Sequence, residues 1–460
     1  MIRIAVLGLS LTIVATFPLA VLATEDATEN KTPIRVGTFV VDASPPVGSH
    51  LAYGRCDAVG MPLTARGIVL VGSGDPIVLC AVDWIGISNG GYQRWREAIA
   101  KAVKTSPQRV SVHSLHQHDA PRCDFSAERL LAEQGLGGVM FDVLFARQTM
   151  ARVANAAKRA TDLAHTVTHV GLGQAKVDKV ASNRRILGAD GKVKVVRYTS
   201  CKDPKVRAEP EGTIDPWVKS ISFWNEDRPV VVLTYYATHP QSYYLTGVAS
   251  ADFPGIARFL RQSTLNGLTH VHFNGAGGNI GAGKYNDGSH ENRQTLAIRL
   301  AEGMATAYRV TEKHPLTAKD VAWKTVAVAL PVSHHLHEEA LVTKLNDSKL
   351  KFAQRAEVAK DLVWLRRCQA GDKIDLTCLT IGPARILHMP GELVVEYQLA
   401  AQKMRPDLFV AMTAYGEYAP GYICLEEHYQ QGGYEDSPGA SKVAPEVENI
   451  LMPAMKELLQ

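Results

Sequence analysis

The sequence predicts a mixed α/β fold, with β-sheets flanked by helices, on three observations. Apolar extended runs alternate with helical patterns along the chain, no internal repeat or low-complexity tract breaks them, and no long linker parts one region from another. That combination favours layered α/β or α+β structure over a helix bundle or a sandwich.

Residues 1–23, MIRIAVLGLSLTIVATFPLAVLA, hold one arginine, an apolar stretch and small residues at Ala20 and Ala23. Such a segment reads as a secretory signal peptide cleaved near Ala23. The apolar part is short for a membrane span of about 20 residues, and polar TEDATENK follows at once. The first cysteine is Cys56, so no lipid-anchoring cysteine stands at the cleavage point. The mature chain is therefore expected to be secreted or periplasmic, with no transmembrane span.

Beyond the leader, apolar extended runs predict strands over 67–72 (GIVLVG) and 76–84 (PIVLCAVDW), and the pattern GYQRWREAIAKAVK predicts a helix over 91–104. A strand over 109–115 (RVSVHSL) and a helix from about 126 to 161 follow. Strands are predicted at 229–239 (PVVVLTYYATH), 269–275 (THVHFNG) and 384–391 (ARILHMPG). Between the last two lies a helix over 291–310, where Leu296, Leu300 and Met304 recur on one face. Polar clusters sit where several of these strands end, the usual place for a site in an open α/β sheet.

A formal charge of +4 on 460 residues, without a basic run or an RNA-reading signature, argues against nucleic acid as a partner. The seven cysteines form no C-x-x-C pair, which disfavours a thiolate zinc site. Cys368 and Cys378 could close a loop in an oxidising compartment, and the odd total leaves at least one thiol over. The loop 273–287, FNGAGGNIGAGKYND, comes within one residue of a phosphate-binding loop. Lys284 is followed by Tyr285 and then by the turn-forming Asn286-Asp287-Gly288, so neither the hydroxyl nor the helix start that phosphate needs is present. A glycine-dense loop after a strand instead permits close backbone approach.

The sharpest polar group is SLHQHDAP at 114–121. In extended chain, positions i and i+2 point the same way, so His116 and His118 are expected to present two imidazoles to one volume. Two imidazoles can share a metal, or one can bind it while the other moves protons. His239 ends an apolar strand, and Glu392 lies in a Pro-Gly turn ahead of a helix. Together these supply two or three imidazoles and a carboxylate, a set that suits zinc. The tail from Tyr415 to Asp436 is dense in tyrosine and acid; core packing is the default for Tyr415 and Tyr418, while a cation would favour a phenolate ligand.

Taken in order, these pieces resemble the neutral/alkaline, non-lysosomal ceramidase family. Its THTHSGP-like motif corresponds to LHQHDAP at 115–121, its arginine after a short Asn to SNRR at 182–185, and its ATH strand end to ATHPQS at 237–242. Its NAGN-type loop corresponds to GAGGNIG at 275–281, its PGEF to PGEL at 390–393, and its tyrosine-rich tail to GYICLEEHYQQGGYEDSPGAS at 421–441. The resemblance implies one ceramidase-like catalytic domain over 33–460. It implies that His116, His239, Glu392 and Tyr422 ligate one Zn2+. It further implies that His118, Arg184 and Tyr434 face the substrate as proton handler, oxyanion or carbonyl contact, and hydrogen-bonding phenol.

Two departures qualify the resemblance. The family's serine falls at Gly281, so a serine-nucleophile route is not available there. Family enzymes acting on ceramide often add a C-terminal immunoglobulin-like domain, and this chain ends soon after the tyrosine-rich tail, so the expectation is the catalytic domain without it. The implied activity is zinc-dependent hydrolysis of an amide in an N-acylated, ceramide-like substrate by a zinc-activated water. The alternatives are a zinc deacylase or esterase on envelope or polysaccharide-derived material, and a catalytically impaired binding protein of the same fold.

Overall fold

The apolar runs become strands buried on both faces, and three sheets are built from them. The computed structural model describes Met1, Ile2, Ala5 and residues 33–460; apart from those three residues, the expected signal peptide lies outside the described residues. Residues from Thr32 to Gln460 form one compact unit. Among the described residues no helix is long and apolar enough to cross a membrane.

The first sheet runs His165–Thr166, Arg35–Asp42, Thr64–Val71, Ile77–Val82, Val110–Ser114. The second runs His270–Asn274, Arg228–Tyr236, Trp217–Asn225, His169–Lys176, Glu312–Pro315, and the third Val321–Val328, Ile374–Ile381, Ala384–His388, Phe409–Thr413. Each sheet is antiparallel except for one parallel pair at its edge, 77–82 with 110–114, 228–236 with 270–274, and 384–388 with 409–413. Side chains of alternate residues leave a strand on opposite faces. On one face Ile68, Leu79, Phe223, Leu233, Leu379 and Ile386 join all three sheets in a single core. On the other face of the first sheet, Val69, Val78 and Cys80 share a second core with Trp95 and Ile99 of helix Asn89–Val103 and Val153 of helix Val143–Asp162.

The parallel pairs matter for function because their carboxyl ends are tied together. The Ser114 N–H donates to the Tyr415 carbonyl at 3.0 Å, and the Ala414 N–H to the Asn274 carbonyl at 3.0 Å. The loops that leave these ends therefore share one location, as strand-end sites in α/β sheets do.

Three expectations need correction. The helix expected from 126 to 161 is two helices, Phe125–Glu133 and Val143–Asp162. Gly135 (φ 70°) and Gly138 (φ 80°) turn the chain between them, and Asp142 caps the second by accepting from the Phe145 N–H. His116 is not in extended chain: the strand ends at Ser114, and His116 has φ 68°. The two histidines still meet, with ring centroids 4.9 Å apart, but a left-handed residue brings them together rather than strand alternation. Cys368 and Cys378 are not bridged; all seven cysteines are free thiols.

Candidate metal centre

His116, His239 and Glu392 each follow a strand of one of the three parallel pairs, so each sheet supplies one group. The His116 N–H donates to Trp84 O at 2.9 Å, and its ring Nδ1 lies 2.7 Å from Ile85 O. The His239 N–H donates to Ile280 O at 3.1 Å, and its Nδ1 lies 2.8 Å from Gly277 O. A carbonyl only accepts, so in each case Nδ1 carries the hydrogen. In a neutral ring that leaves Nε2 with a lone pair. Burial, and then Arg184 nearby, lower the His239 pKa to about 4, so at neutral pH its ring is neutral.

Glu392 opposes both rings. It lies on the two-residue strand Glu392–Leu393, which pairs in parallel with Tyr422–Ile423 so that Glu392 stands across from Tyr422. Its Oε1 accepts from the Tyr418 hydroxyl at 2.5 Å. Its Oε2 lies 3.2 Å from His116 Nε2 and 3.2 Å from His239 Nε2, yet receives no aligned hydrogen bond. The Nε2 atoms of His116 and His239 and a buried carboxylate oxygen thus face one another. A buried carboxylate oxygen left without a hydrogen bond is costly, and a cation at the meeting point removes the cost. The donor set of two imidazoles, a carboxylate and a phenol fits zinc.

His118 adds a third imidazole; one ligand atom each from His116, His118 and His239 lie within 4.8 Å of one another. Neither His118 ring nitrogen has a hydrogen-bond partner. Burial first, and then His116 and His239, hold its pKa well below the usual value, so its ring too is neutral. Carbonyl bonds anchor the other two rings, the usual support for a metal-ligating imidazole, and His118 lacks that support.

The Tyr422 hydroxyl lies 3.2 Å from His239 Nε2 and accepts from Arg184 Nη2 at 3.1 Å. Burial raises the Tyr422 pKa well above 10, against the opposing pull of Arg184, so the hydroxyl keeps its proton and can donate it to His239. Arg184 also donates through Nη2 to Gly278 O at 2.6 Å and is paired with Glu435 Oε1 at 3.0 Å. Arg185 holds the other oxygen of Glu435 at 3.0 Å, so one fully buried carboxylate serves two guanidinium groups. Tyr434 stands apart from the imidazoles: its ring meets Tyr422 edge-on at 5.5 Å and lies under the Arg184 guanidinium at 5.6 Å, on the cavity wall.

All seven residues singled out in the sequence therefore gather in one region. Other residues touch them as well, among them Tyr418, Glu435, Tyr53 and Tyr244. Tyr418, which donates to Glu392 and also packs on the core, lies in the tyrosine-dense tail. Glu435 adjoins Tyr434, but nothing in the sequence ties it to Arg184 and Arg185. Tyr53 stacks on His118 at 5.4 Å, and nothing in its surroundings in sequence marks it.

The glycine-dense loop is the wall between the His239 and Glu392 segments. A Cβ at Gly278 would sit 2.4 Å from Glu392 O, so the close approach that glycine permits here is to the backbone of the site itself. Lys284 is consumed elsewhere, donating to the carbonyls of Arg207, Ala208 and Glu209. Gly281 pairs with Ser182, and a Cβ there would come within 2.7 Å of Thr199 Cγ2 and 3.4 Å of Arg184 Cδ. Thr199 is fixed by a bond from its hydroxyl to Gln241 at 2.5 Å. The Gly281→Ser variant is accordingly expected to lose about 1–3 kcal/mol through overpacking, measured by urea unfolding. An unchanged midpoint would show that Thr199 yields freely.

A cavity of about 940 Å³ opens onto His116, His118, Glu392 and Tyr422. Leu51, Met140, Phe352 and Ala356 give it apolar wall, while the pair Arg122–Glu357 gives it charge. Its size is at the upper end of ligand sites.

The fold built from these three sheets is similar to that of solved ceramidase structures. The solved structure of a neutral ceramidase from Pseudomonas aeruginosa superposes with a TM-score of 0.64 at 16% identity, over 93% of this chain and 73% of that one. A ceramidase complexed with C2 superposes with a TM-score of 0.64 at 15% identity, over 93% of this chain and 74% of that one. No protein-family model and no curated protein matches the sequence.

Proposed function

We propose that this chain is a secreted, zinc-dependent hydrolase that cleaves the amide of an N-acylated, ceramide-like substrate. The observation that carries the reading is the convergence of His116 Nε2, His239 Nε2 and Glu392 Oε2, with both nitrogens 3.2 Å from the same unpartnered oxygen, beside a large cavity that His116 and Glu392 line. His116, His239, Glu392 and Tyr422 would hold the metal. When bound there, zinc supplies a Lewis acid that polarises a carbonyl and brings the pKa of water to about 7.

The chain's own groups supply the rest. His118, with both ring nitrogens unengaged, takes the proton from water and passes it to the leaving amine. Arg184 spends Nε and Nη2 on Glu435, Gly278 and Tyr422, while Nη1 makes no hydrogen bond to a described residue. That donor is left for the developing oxyanion. Tyr434, on the cavity wall, offers its phenol to the substrate. The likeness to ceramidases supports the amide and the acyl chain, and the apolar wall at Leu51, Met140 and Phe352 supports room for that chain.

The charged pair Arg122–Glu357 within the cavity favours a second reading, in which the substrate carries polar groups, as envelope or polysaccharide-derived acyl compounds do. Zinc-loaded protein assayed on N-acyl sphingoid bases, N-acyl amino sugars and acyl esters separates the two. Turnover of the first set, abolished by chelator and restored by zinc, is the expected result. Folded, zinc-bearing protein that turns over none of the three would leave only a binding role.

A further inference from the structure

The three imidazoles at the centre are held by different means. His116 and His239 are each fixed through Nδ1 on a carbonyl, whereas His118 has no hydrogen bond at all. An imidazole without one has broad freedom about its ring torsion. What surrounds His118 instead is aromatic. Tyr53 lies on its face, with centroids 5.4 Å apart and planes 23° apart, and Tyr244 meets it edge-on at 5.0 Å and 72°. The two tyrosines also touch each other at 5.3 Å.

The loops that carry these rings are tied to the segment that carries His118. Tyr53 sits in the hairpin His50–Leu51 with Gly54–Arg55, where the Ala52 N–H donates to Ala120 O at 2.9 Å and Arg122 Nη2 donates to Ala52 O at 2.7 Å. On the other side, Asp119 accepts from the Leu245 N–H at 3.0 Å and from the Thr246 hydroxyl at 2.7 Å, immediately after Tyr244. Residues 119–122 thus anchor both jaws around their own neighbour. Neither tyrosine hydroxyl makes a hydrogen bond to a described residue, and Tyr53 and Tyr244 remain 47% and 38% exposed, so the rings and not the hydroxyls make the contact.

We infer that Tyr53 and Tyr244 are positioning residues, an aromatic clamp that sets the ring orientation of His118 and leaves both its nitrogens free for the reaction. Stacked and edge-on aromatic pairs have this kind of preferred geometry. The consequence for turnover rests on the proposed hydrolase; the clamp itself does not.

The test uses the zinc-loaded full-length chain with Tyr53→Ala and Tyr53→Phe. The expected result is that Tyr53→Ala speeds carbethoxylation of His118 by diethyl pyrocarbonate several-fold, read by peptide mass spectrometry, while Tyr53→Phe labels like the parent. Zinc stays at the parental level, and kcat falls by about tenfold or more in Tyr53→Ala with little change in KM, as misplacement of a reacting group does. Tyr53→Phe restores it. Equal labelling of His118 in Tyr53→Ala and the parent, or a Tyr53→Phe variant as impaired as Tyr53→Ala, overturns the clamp. Should Tyr53→Ala unfold, Tyr244→Leu is read by the same two criteria. If no N-acyl substrate is turned over by the parent, the hydrolase fails and the labelling still decides the clamp.

Discussion

Glu392→Gln is expected to lose its metal, with affinity down by more than about 100-fold, and its turnover with it, while the chelator-treated variant melts no lower than the chelator-treated parent. The reason lies in which atom the amide places where. Tyr418 donates to Oε1, so that position stays a carbonyl oxygen, and the new NH2 group falls where Oε2 stood, 3.2 Å from two imidazole nitrogens. An amide nitrogen donates two hydrogen bonds. It therefore donates toward His116 Nε2 and competes with the Tyr422 hydroxyl for His239 Nε2, filling the site without a cation. Emission spectroscopy for bound zinc and calorimetry with and without chelator give the two readings. A Glu392→Gln variant that keeps one equivalent of zinc would remove Glu392 from the ligand set.

The second large effect is on stability. Glu435→Gln is expected to cost about 3–5 kcal/mol, because it leaves two buried guanidinium groups without their anion. Arg184 and Arg185 each lie 3.0 Å from a different oxygen of that carboxylate, which is wholly buried. Burial opposes its ionisation, but Arg184 and Arg185 outweigh burial and keep the carboxyl below its usual range. A lowered carboxyl pKa contributes stability above its unfolded value, and that contribution is lost as pH falls through the folded value. The difference between parent and variant in urea should accordingly be full at neutral pH and shrink in acid. Asp227→Asn, which breaks the Lys313 pair at a 99% exposed aspartate side chain, is the control and should leave the urea midpoint nearly unchanged. Equal losses in the two variants would contradict the structural role given to Glu435.

Much of the centre could be read in the sequence because strand ends concentrate polar residues, and His116, His239 and Glu392 each stand two to four residues past one. The geometry joining them could not. His116 reaches His118 through a residue with φ 68°, and a left-handed histidine has no signature in an apolar strand. The pairing of Arg184 with Glu435 spans 251 positions, and a single chain says nothing about which of its acids meets which arginine. Tyr418 packs on the core and also bonds Glu392, and sequence does not separate the two, since a buried phenol and a phenol bonded to a carboxylate look alike there. The two-helix break at 134–142 was readable in principle from Gly135, Gly137 and Gly138, but continuous helical periodicity on either side hid it.

The role of Gly281 follows from packing. Thr199 presses on the space where a side chain would stand, so the loop is complete with glycine there, and the hydrolase proposed requires no hydroxyl at that position.

The metal proposed at the meeting point of three sheets is tested most directly by anomalous scattering at the zinc edge from crystals of the full chain. The predicted result is a single peak about 2.0–2.2 Å from His116 Nε2, His239 Nε2 and a Glu392 oxygen, with His118 outside bonding distance. A peak bonded to His118 in place of Glu392, or crystals grown with zinc that show none at this centre, would contradict it.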